Sequence, residues 1–215
     1  MTCRAPVPPL DPLFERWPAG EVIHVIHDTR YAPERFNPGV DDKGALRNPT
    51  RFAPIRDRRG KVVPCLYGGS TREGAIFETV FHNVPINAED KFVDLDDFAQ
   101  RGHGQLVPAR DLSLVDLTTD GLHRLKVPKE ELITSAPRDY PATARWAEAL
   151  HHQFKDIDGL MWMSKRRDRD RALLLFGDRV RGGLTGTRVG GALARNNELR
   201  EAVLALALRA GIEAA

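Results

Sequence analysis

The segment 61–82 constrains the fold most, because it joins a buried strand to an amphipathic helix through a turn of two glycines. Residues 61–67 are largely β-branched or apolar and end at the Gly-Gly pair 68–69, which is typical of a short buried strand that enters a tight turn. Ser70, with Glu73 three residues later, predicts the capped start of a helix. Apolar residues then recur at helical spacing: Ala75, Ile76, Phe77, Val80 and Phe81.

Glu78 and Tyr67 are the residues of this segment with side chains suited to chemistry. Glu78 falls just outside the apolar face, one turn after Gly74. Because glycine has no side chain, we expect free space beside the carboxylate that a ligand would occupy. An ordinary solvated glutamate has the same spacing, so the pattern leaves both interpretations open.

The composition predicts a globular protein of one domain. The chain has 215 residues, of which 41% are apolar and 29% charged, and it contains no apolar run of membrane-spanning length. The first residues lack the apolar core of a secretory signal, so we expect a cytoplasmic protein. Two cysteines make neither a disulfide framework nor a metal-ligand spacing, and we expect no metal site.

Basic residues are concentrated between residues 165 and 171, although the net charge is only +2. Such a cluster suits an anionic ligand or an acidic partner. The interleaved aspartates and the absence of nearby aromatic residues argue against direct nucleic-acid binding.

The order of the predicted elements indicates an α+β fold, because strands and helices do not alternate regularly. Strands are predicted at 21–27, 61–67, 112–117, 159–164 and 171–176, the last two as a hairpin, and helices after Ser70, at 128–133, at 140–154 and after Asn196. We divide the chain into a proline-rich extended lead-in (1–20), a main domain (21–180), and a glycine-rich flexible linker with a C-terminal helix packed on the same domain (181–215).

Three more candidate residues lie outside the strand–helix segment. His24 is on the first predicted strand, where His27 points to the opposite face, and a structural histidine is the alternative for at least one of them. Arg51 lies between proline and phenylalanine in the long loop 28–60 and suits a guanidinium clamp for an anion, with a solvated arginine as the alternative. Ser164 ends an apolar strand where the basic cluster begins, and no nucleophile-elbow pattern surrounds it.

Five motifs occur in a characteristic order: Phe36-Asn37-Pro38; Arg51-Phe52; Leu66-Tyr67 with Glu78-Thr79-Val80-Phe81-His82; Leu112-Ser113-Leu114-Val115-Asp116-Leu117; and Gly159-Leu160-Met161-Trp162-Met163-Ser164. Together, over roughly residues 20–180, they resemble the RES domain, the toxin component of RES-Xre toxin–antitoxin systems. The resemblance implies an ADP-ribosyltransferase-like fold, a split mixed or antiparallel β core flanked by helices. It also implies a protein that consumes NAD by hydrolysis or phosphorolysis.

The resemblance assigns a role to each candidate. Glu78 would stabilise the oxocarbenium-like ribose that forms when the nicotinamide bond breaks. Arg51 would hold the diphosphate bidentately, Tyr67 would stack on nicotinamide or adenine, and Ser164 would bind nicotinamide or ribose. NAD is then a substrate, inorganic phosphate a candidate co-substrate, and no bound cofactor or metal is required.

One position departs from the family pattern. Where members commonly have an arginine on the first strand, this chain has His24, and we expect His24 to contact the diphosphate, with Arg30 or Arg35 as the alternative. The resemblance further implies an Xre-family antitoxin as partner and leaves homo-oligomer formation open. Two other functions remain: a protein-directed ADP-ribosyltransferase, or a non-enzymatic module that binds a nucleotide or a partner.

Overall fold

The computed structural model describes residues 3–180 and 182–215. Met1, Thr2 and Arg181 lie outside the described residues. The first two belong to the predicted lead-in and the third to the predicted C-terminal segment. The strands are β1 Leu13–Trp17, β2 Ile23–Asp28, β3 Ile55–Arg56, β4 Val62–Val63, β5 Cys65–Gly69, β6 Phe92–Val93, β7 Arg101–Pro108, β8 Leu112–Asp116, β9 Gly159–Met163, β10 Arg171–Phe176, β11 Leu184–Ala192 and β12 Glu213–Ala214. The helices are α1 Arg72–Thr79, α2 Thr119–Leu125, α3 Lys129–Leu132, α4 Tyr140–Gln153, α5 Gly177–Val180 and α6 Asn197–Arg209.

The described residues form a mixed eight-stranded sheet in the order β1-β8-β9-β10-β5-β2-β7-β11. Strands β8 and β9 are parallel, and the other neighbouring strands are antiparallel. Within residues 3–180, β2 and β5 are joined through the single pair His24–Gly69, so the sheet divides there into a five-stranded and a three-stranded half. The α+β fold with a mixed sheet flanked by helices is therefore confirmed.

Side chains on the two faces of the sheet belong to different hydrophobic clusters. On β10, Leu174 and Phe176 pack with the cluster that includes Trp146 and Leu150 of α4, while Leu173 and Leu175 point to the opposite face. This alternation follows from the two-residue period of a strand. Helices α1 and α6 form a third cluster beside the first face.

The strongest sequence patterns predicted their elements correctly. The strands over 112–117, 159–164 and 171–176 are present, and β9 and β10 form the expected hairpin. Ala75 and Ile76 of α1 are buried, as are Val80 and Phe81 directly after it. None of the helices in the described part of the chain is long and apolar enough to cross a bilayer.

The prediction of a flexible linker in the glycine-rich segment is wrong for residues 184–192, which form the edge strand β11 paired with β7. At Gly186 a Cβ atom would overlap the carboxylate of Glu34, so a larger residue there would displace that side chain. Gly190 has φ of +74° at an irregularity in the pairing, where glycine is favoured. The predicted lead-in also contains β1, which pairs with β8 at the other edge of the sheet.

Helix α1 begins one residue later than predicted. Its N-cap is Thr71, whose Oγ1 accepts a hydrogen bond from the backbone N–H of Gly74 at 2.9 Å. Ser70 instead accepts from the backbone N–H of Arg171, at 3.0 Å, and so ties the start of the helix to β10. The predicted capping box of Ser70 and Glu73 is therefore replaced by a threonine cap.

Candidate functional site

A hydrogen bond joins Glu78 of α1 to Ser164, the residue after β9. The Ser164 Oγ donates to Glu78 Oε1 at 2.6 Å, and it accepts from the backbone N–H groups of Arg166 and Arg167, each at 3.2 Å. Because the two N–H groups fill the acceptor side of the hydroxyl, its single proton is directed to the carboxylate. The structure thus brings together two of the predicted site residues.

Glu78 is held as a carboxylate, although only 17% of its side chain is exposed. Burial disfavours the charged form and raises the pKa of Glu78. The imidazole of His82, the hydroxyl of Ser164 and the charge of Arg51 lower the pKa, and together they outweigh the effect of burial. The pKa therefore lies below its ordinary value, and Glu78 is ionised at neutral pH.

His82 lies one helical turn beyond Glu78 and was not assigned a role from the sequence. Its Nδ1 is 3.8 Å from Glu78 Oε2, within ion-pair range but beyond hydrogen-bond length, and its Nε2 is 3.2 Å from the hydroxyl of Tyr140. The i, i+4 spacing of the two residues is the signal that would have paired them from sequence.

Arg51 is a buried cation without a carboxylate partner. The residue is 4% exposed, and no carboxylate of residues 3–180 and 182–215 lies within ion-pair distance of its guanidinium. Its Nε and Nη2 atoms are enclosed and have no hydrogen-bond acceptor in the described chain. The guanidinium carbon lies 5.7 Å from the centre of the Tyr140 ring, a cation–π distance. A buried charge of this kind is costly unless an anion compensates it.

Tyr67 contacts the residues on both sides of Arg51. Its hydroxyl accepts from the backbone N–H of Phe52 at 3.0 Å and is 2.9 Å from Thr50 Oγ1. These contacts enclose the hydroxyl, and burial raises the pKa of Tyr67, while the residue as a whole remains 38% exposed. The ring also packs edge-on against Trp162, at 6.2 Å between ring centres. The structure thus places Tyr67 as a support for Arg51, with part of its surface still accessible.

The loop 164–170 closes over the start of α1. Thr71 donates to Asp170 Oδ2 at 2.9 Å, and Arg167 forms an ion pair with the same carboxylate at 2.5 Å, although that contact lacks hydrogen-bond geometry. A Cβ at Gly74 would lie 3.0 Å from Asp170 Oδ2. The expected ligand space above Gly74 is therefore filled by Asp170, and that expectation is wrong.

His24 lies apart from the Glu78–Ser164 contact. Its Nδ1 is 2.9 Å from Nε2 of His103 on β7, and the two rings stack at 5.1 Å. Burial, with a smaller contribution from Arg72, lowers the pKa of His24 despite the opposing charge of Glu73. The neutral imidazole is therefore the dominant form at neutral pH. The contact of His24 with a diphosphate stays a prediction.

The alternative arginines are occupied near the surface. Arg30 forms a forked ion pair with Asp28, whose pKa it lowers to about 2. Arg35 lies over the ring of Tyr31 at 4.9 Å.

Neither cavities nor metal ligands identify the site. Cavities of about 450 and 180 Å³ open elsewhere on the surface, the second between α1, α6 and the loop 164–170. In the described part of the chain, no three histidine, cysteine or acidic side chains are grouped as metal ligands would be. We therefore define the candidate site by its charges: Glu78, Ser164 and Arg51, with Tyr67 and His82 beside them.

Comparison with known proteins agrees with this fold. No curated protein matches the sequence. Among solved structures, a chain of the M. tuberculosis MbcT-MbcA toxin-antitoxin complex matches with a TM-score of 0.55 and 14% identity, covering 86% of this chain and 92% of that one. The model of the RES domain matches residues 22–190. Because this match spans well over half of the sequence, the chain belongs to the RES domain family.

Proposed function

We propose that this protein is an NAD-degrading toxin that cleaves the bond between nicotinamide and ribose by hydrolysis or phosphorolysis. The observation that carries the proposal is the ionised, largely buried Glu78, held by Ser164 beside the uncompensated Arg51. A fixed negative charge and an unpaired positive charge match, respectively, the cationic transition state and the anionic diphosphate of one substrate.

The charges of Glu78 and Arg51 would act on different parts of the substrate during cleavage. When the C–N bond breaks, its electron pair moves to the nicotinamide ring nitrogen, and positive charge develops on the ribose. The carboxylate of Glu78 stabilises that charge most where water is excluded. Water or phosphate then forms the new bond to the ribose carbon, and an attacking water releases its proton to the solvent. Arg51 holds the diphosphate, so that the ribose is oriented against Glu78.

Ser164 keeps Glu78 in place and in its charged form, a role that uses the single proton and the acceptor side of its hydroxyl. Tyr67 holds the segment that carries Arg51, while its exposed part suits stacking on a base. The proposal requires neither a metal nor a bound cofactor.

Membership of the RES family supports the assignment as the toxin of a toxin–antitoxin pair, and the fold shared with a chain of a toxin-antitoxin complex supports it further. We propose a cognate antitoxin of the Xre family as the partner and the cytoplasm as the place of action, since NAD is found there. Expression of the chain alone should arrest bacterial growth after intracellular NAD has fallen. Arrest with unchanged NAD would contradict NAD depletion and point to protein modification.

The decisive experiment measures nicotinamide release from NAD by the purified protein, with and without inorganic phosphate. Release without phosphate indicates hydrolysis, and release that depends on phosphate indicates phosphorolysis. Glu78→Gln should lower the rate by at least about 100-fold, because it removes the charge and keeps the shape. Glu130→Gln is the matched control, since Glu130 is exposed and outside the site. No release by the wild-type protein would overturn the enzymatic proposal and favour a binding module.

A further inference from the structure

The loop 164–170 carries several cations, and two of them are committed to structural contacts. Arg166 donates through Nη1 to the carbonyl of Val84 at 2.8 Å and through Nη2 to the carbonyl of His82. Arg167 is paired with Asp170. Arg166 thus holds the loop against the residues that follow α1, and Arg167 is paired within the loop. Both guanidinium groups have little freedom to bind a ligand.

Lys165 differs from both. It follows Ser164 directly and is half-buried, yet in residues 3–180 and 182–215 its ammonium has no hydrogen-bond acceptor or ion-pair partner. The charged groups that face it come from three elements: Arg51 from the long loop, Glu78 from α1 and Arg166 from its own loop. Contacts connect the surroundings of Arg51 and Lys165. Arg51 lies over the ring of Tyr140, whose hydroxyl is 3.2 Å from His82 Nε2. Arg166, the neighbour of Lys165, donates to the carbonyl of His82. Lys165 is therefore a second unpaired cation in the same site as Arg51.

Burial is the main reason that the pKa of Lys165 is lowered to about 8, and the positive charges of Arg51 and Arg166 add to it, against the opposing charge of Glu78. Two cations held together in a partly buried site repel each other. A bound anion relieves both the repulsion and the cost of burial, so the site is arranged to gain from an anion with more than one charge.

We propose that Lys165 is a second diphosphate contact, in which Arg51 and Lys165 together bind the two phosphate groups of a dinucleotide. This inference rests on the proposed function and extends it to a residue that the sequence motifs do not mark. The division of roles suits the two side chains. Arg51 is rigidly held and always charged, whereas the ammonium of Lys165 is a mobile point charge that can follow the second phosphate.

The test is the affinity for ADP-ribose, a diphosphate without the reactive bond, measured by calorimetry at pH 7 and pH 9. Wild-type affinity should fall over this range, because Lys165 loses its proton as the pH passes about 8. Lys165→Met should bind roughly tenfold more weakly at pH 7 and show little further loss at pH 9. Lys165→Arg should keep its affinity at both pH values, since arginine stays charged. Lys155→Met is the control, because Lys155 is exposed and outside the loop.

Wild-type affinity in Lys165→Met, or a pH dependence that persists in that variant, would overturn the inference. If Lys165→Met still released nicotinamide at the wild-type rate, the proposed NAD-degrading function would stand without a role for Lys165. A wild-type protein that neither binds ADP-ribose nor degrades NAD would overturn both proposals together. Melting temperatures of all variants show whether a weakened affinity reflects a damaged fold.

Discussion

The hydroxyl of Ser164 lies 2.6 Å from Glu78 Oε1 and donates to it, which links the end of β9 to α1 across 86 positions of sequence. Two backbone N–H groups at the start of the loop 164–170 orient this hydroxyl. The contact supports the negative charge of a carboxylate that is largely buried.

Ser164→Ala should raise the pKa of Glu78, since the change removes a donor to the charged form. The wild-type pKa is below its ordinary value, so activity should be lost only as the pH falls through that lowered value. In Ser164→Ala the acid limb of kcat/KM should move to higher pH, and kcat/KM at pH 7 should fall roughly tenfold. The measurement is the rate of NAD consumption against pH.

Ser135→Ala is the control for this change, because Ser135 is also buried but bonds to the carbonyl of Leu132 outside the site. An acid limb that stays in place in Ser164→Ala would show that the hydroxyl does not control the charge of Glu78.

Tyr67→Phe should act on substrate binding through Arg51. Loss of the hydroxyl leaves the backbone N–H of Phe52 without its acceptor, which should lower the free energy of unfolding by about 1 kcal/mol. Because Arg51 is then less well positioned, KM for NAD should rise severalfold while kcat changes little. Tyr67→Leu should raise KM further if the ring also stacks on a base. Tyr31→Phe is the control for loss of a tyrosine hydroxyl, because Tyr31 is exposed.

A fall in kcat with unchanged KM for Tyr67→Phe would contradict this positioning role. Equal KM values for Tyr67→Phe and Tyr67→Leu would argue against stacking.

The sequence predicted those elements whose signals are local. The apolar spacing from Ala75 to Phe81 defines α1, and the runs 159–163 and 171–176 define the hairpin, because each pattern lies within one element. Strand β7 was not predicted, since its glycines are poor strand formers. It is extended because it pairs with β2 on one side and with β11 on the other.

The residues of the candidate site were likewise predictable only as far as their sequence signals are local. The position of Glu78 at the edge of the apolar face follows from helical periodicity, and Arg51, Tyr67 and Ser164 were found through the motifs. Their mutual contacts depend on segments that only the fold brings together. The basic cluster 165–171 indicates an anionic ligand from sequence, but no local pattern distinguishes the unpaired Lys165 from its paired arginine neighbours, because Arg51 and Glu78 reach it from distant parts of the chain.

Thr71→Ala should destabilise the protein more than Ser70→Ala. Thr71 caps α1 through the N–H of Gly74 and also donates to the buried Asp170, so its removal leaves that N–H without its acceptor and takes one of the contacts from Asp170. We expect a loss of about 1–2 kcal/mol in the free energy of unfolding, measured by urea denaturation. Ser70→Ala removes one contact, with the N–H of Arg171, and should cost less. The reverse order would contradict the larger contribution assigned to Thr71.

His24→Arg tests whether this residue replaces the arginine of other family members. The Nδ1 of His24 contacts His103, and burial lowers the pKa of His103 to about 4, with a further contribution from His24. The pKa of His24 is also below its ordinary value of 6.5, so its cationic form is lost before pH 7 as the pH rises. His24 should therefore leave NAD affinity flat between about pH 6.5 and 7.5.

An arginine at this position would carry a permanent charge into the stacked pair, close to Arg72. We expect His24→Arg to lower the free energy of unfolding by about 2–4 kcal/mol and to leave NAD binding no tighter. His123→Arg, at an exposed position, is the control for the substitution itself. Tighter NAD binding by His24→Arg with an unchanged melting temperature would instead mean that position 24 faces the diphosphate, because only a ligand anion would then compensate the added charge.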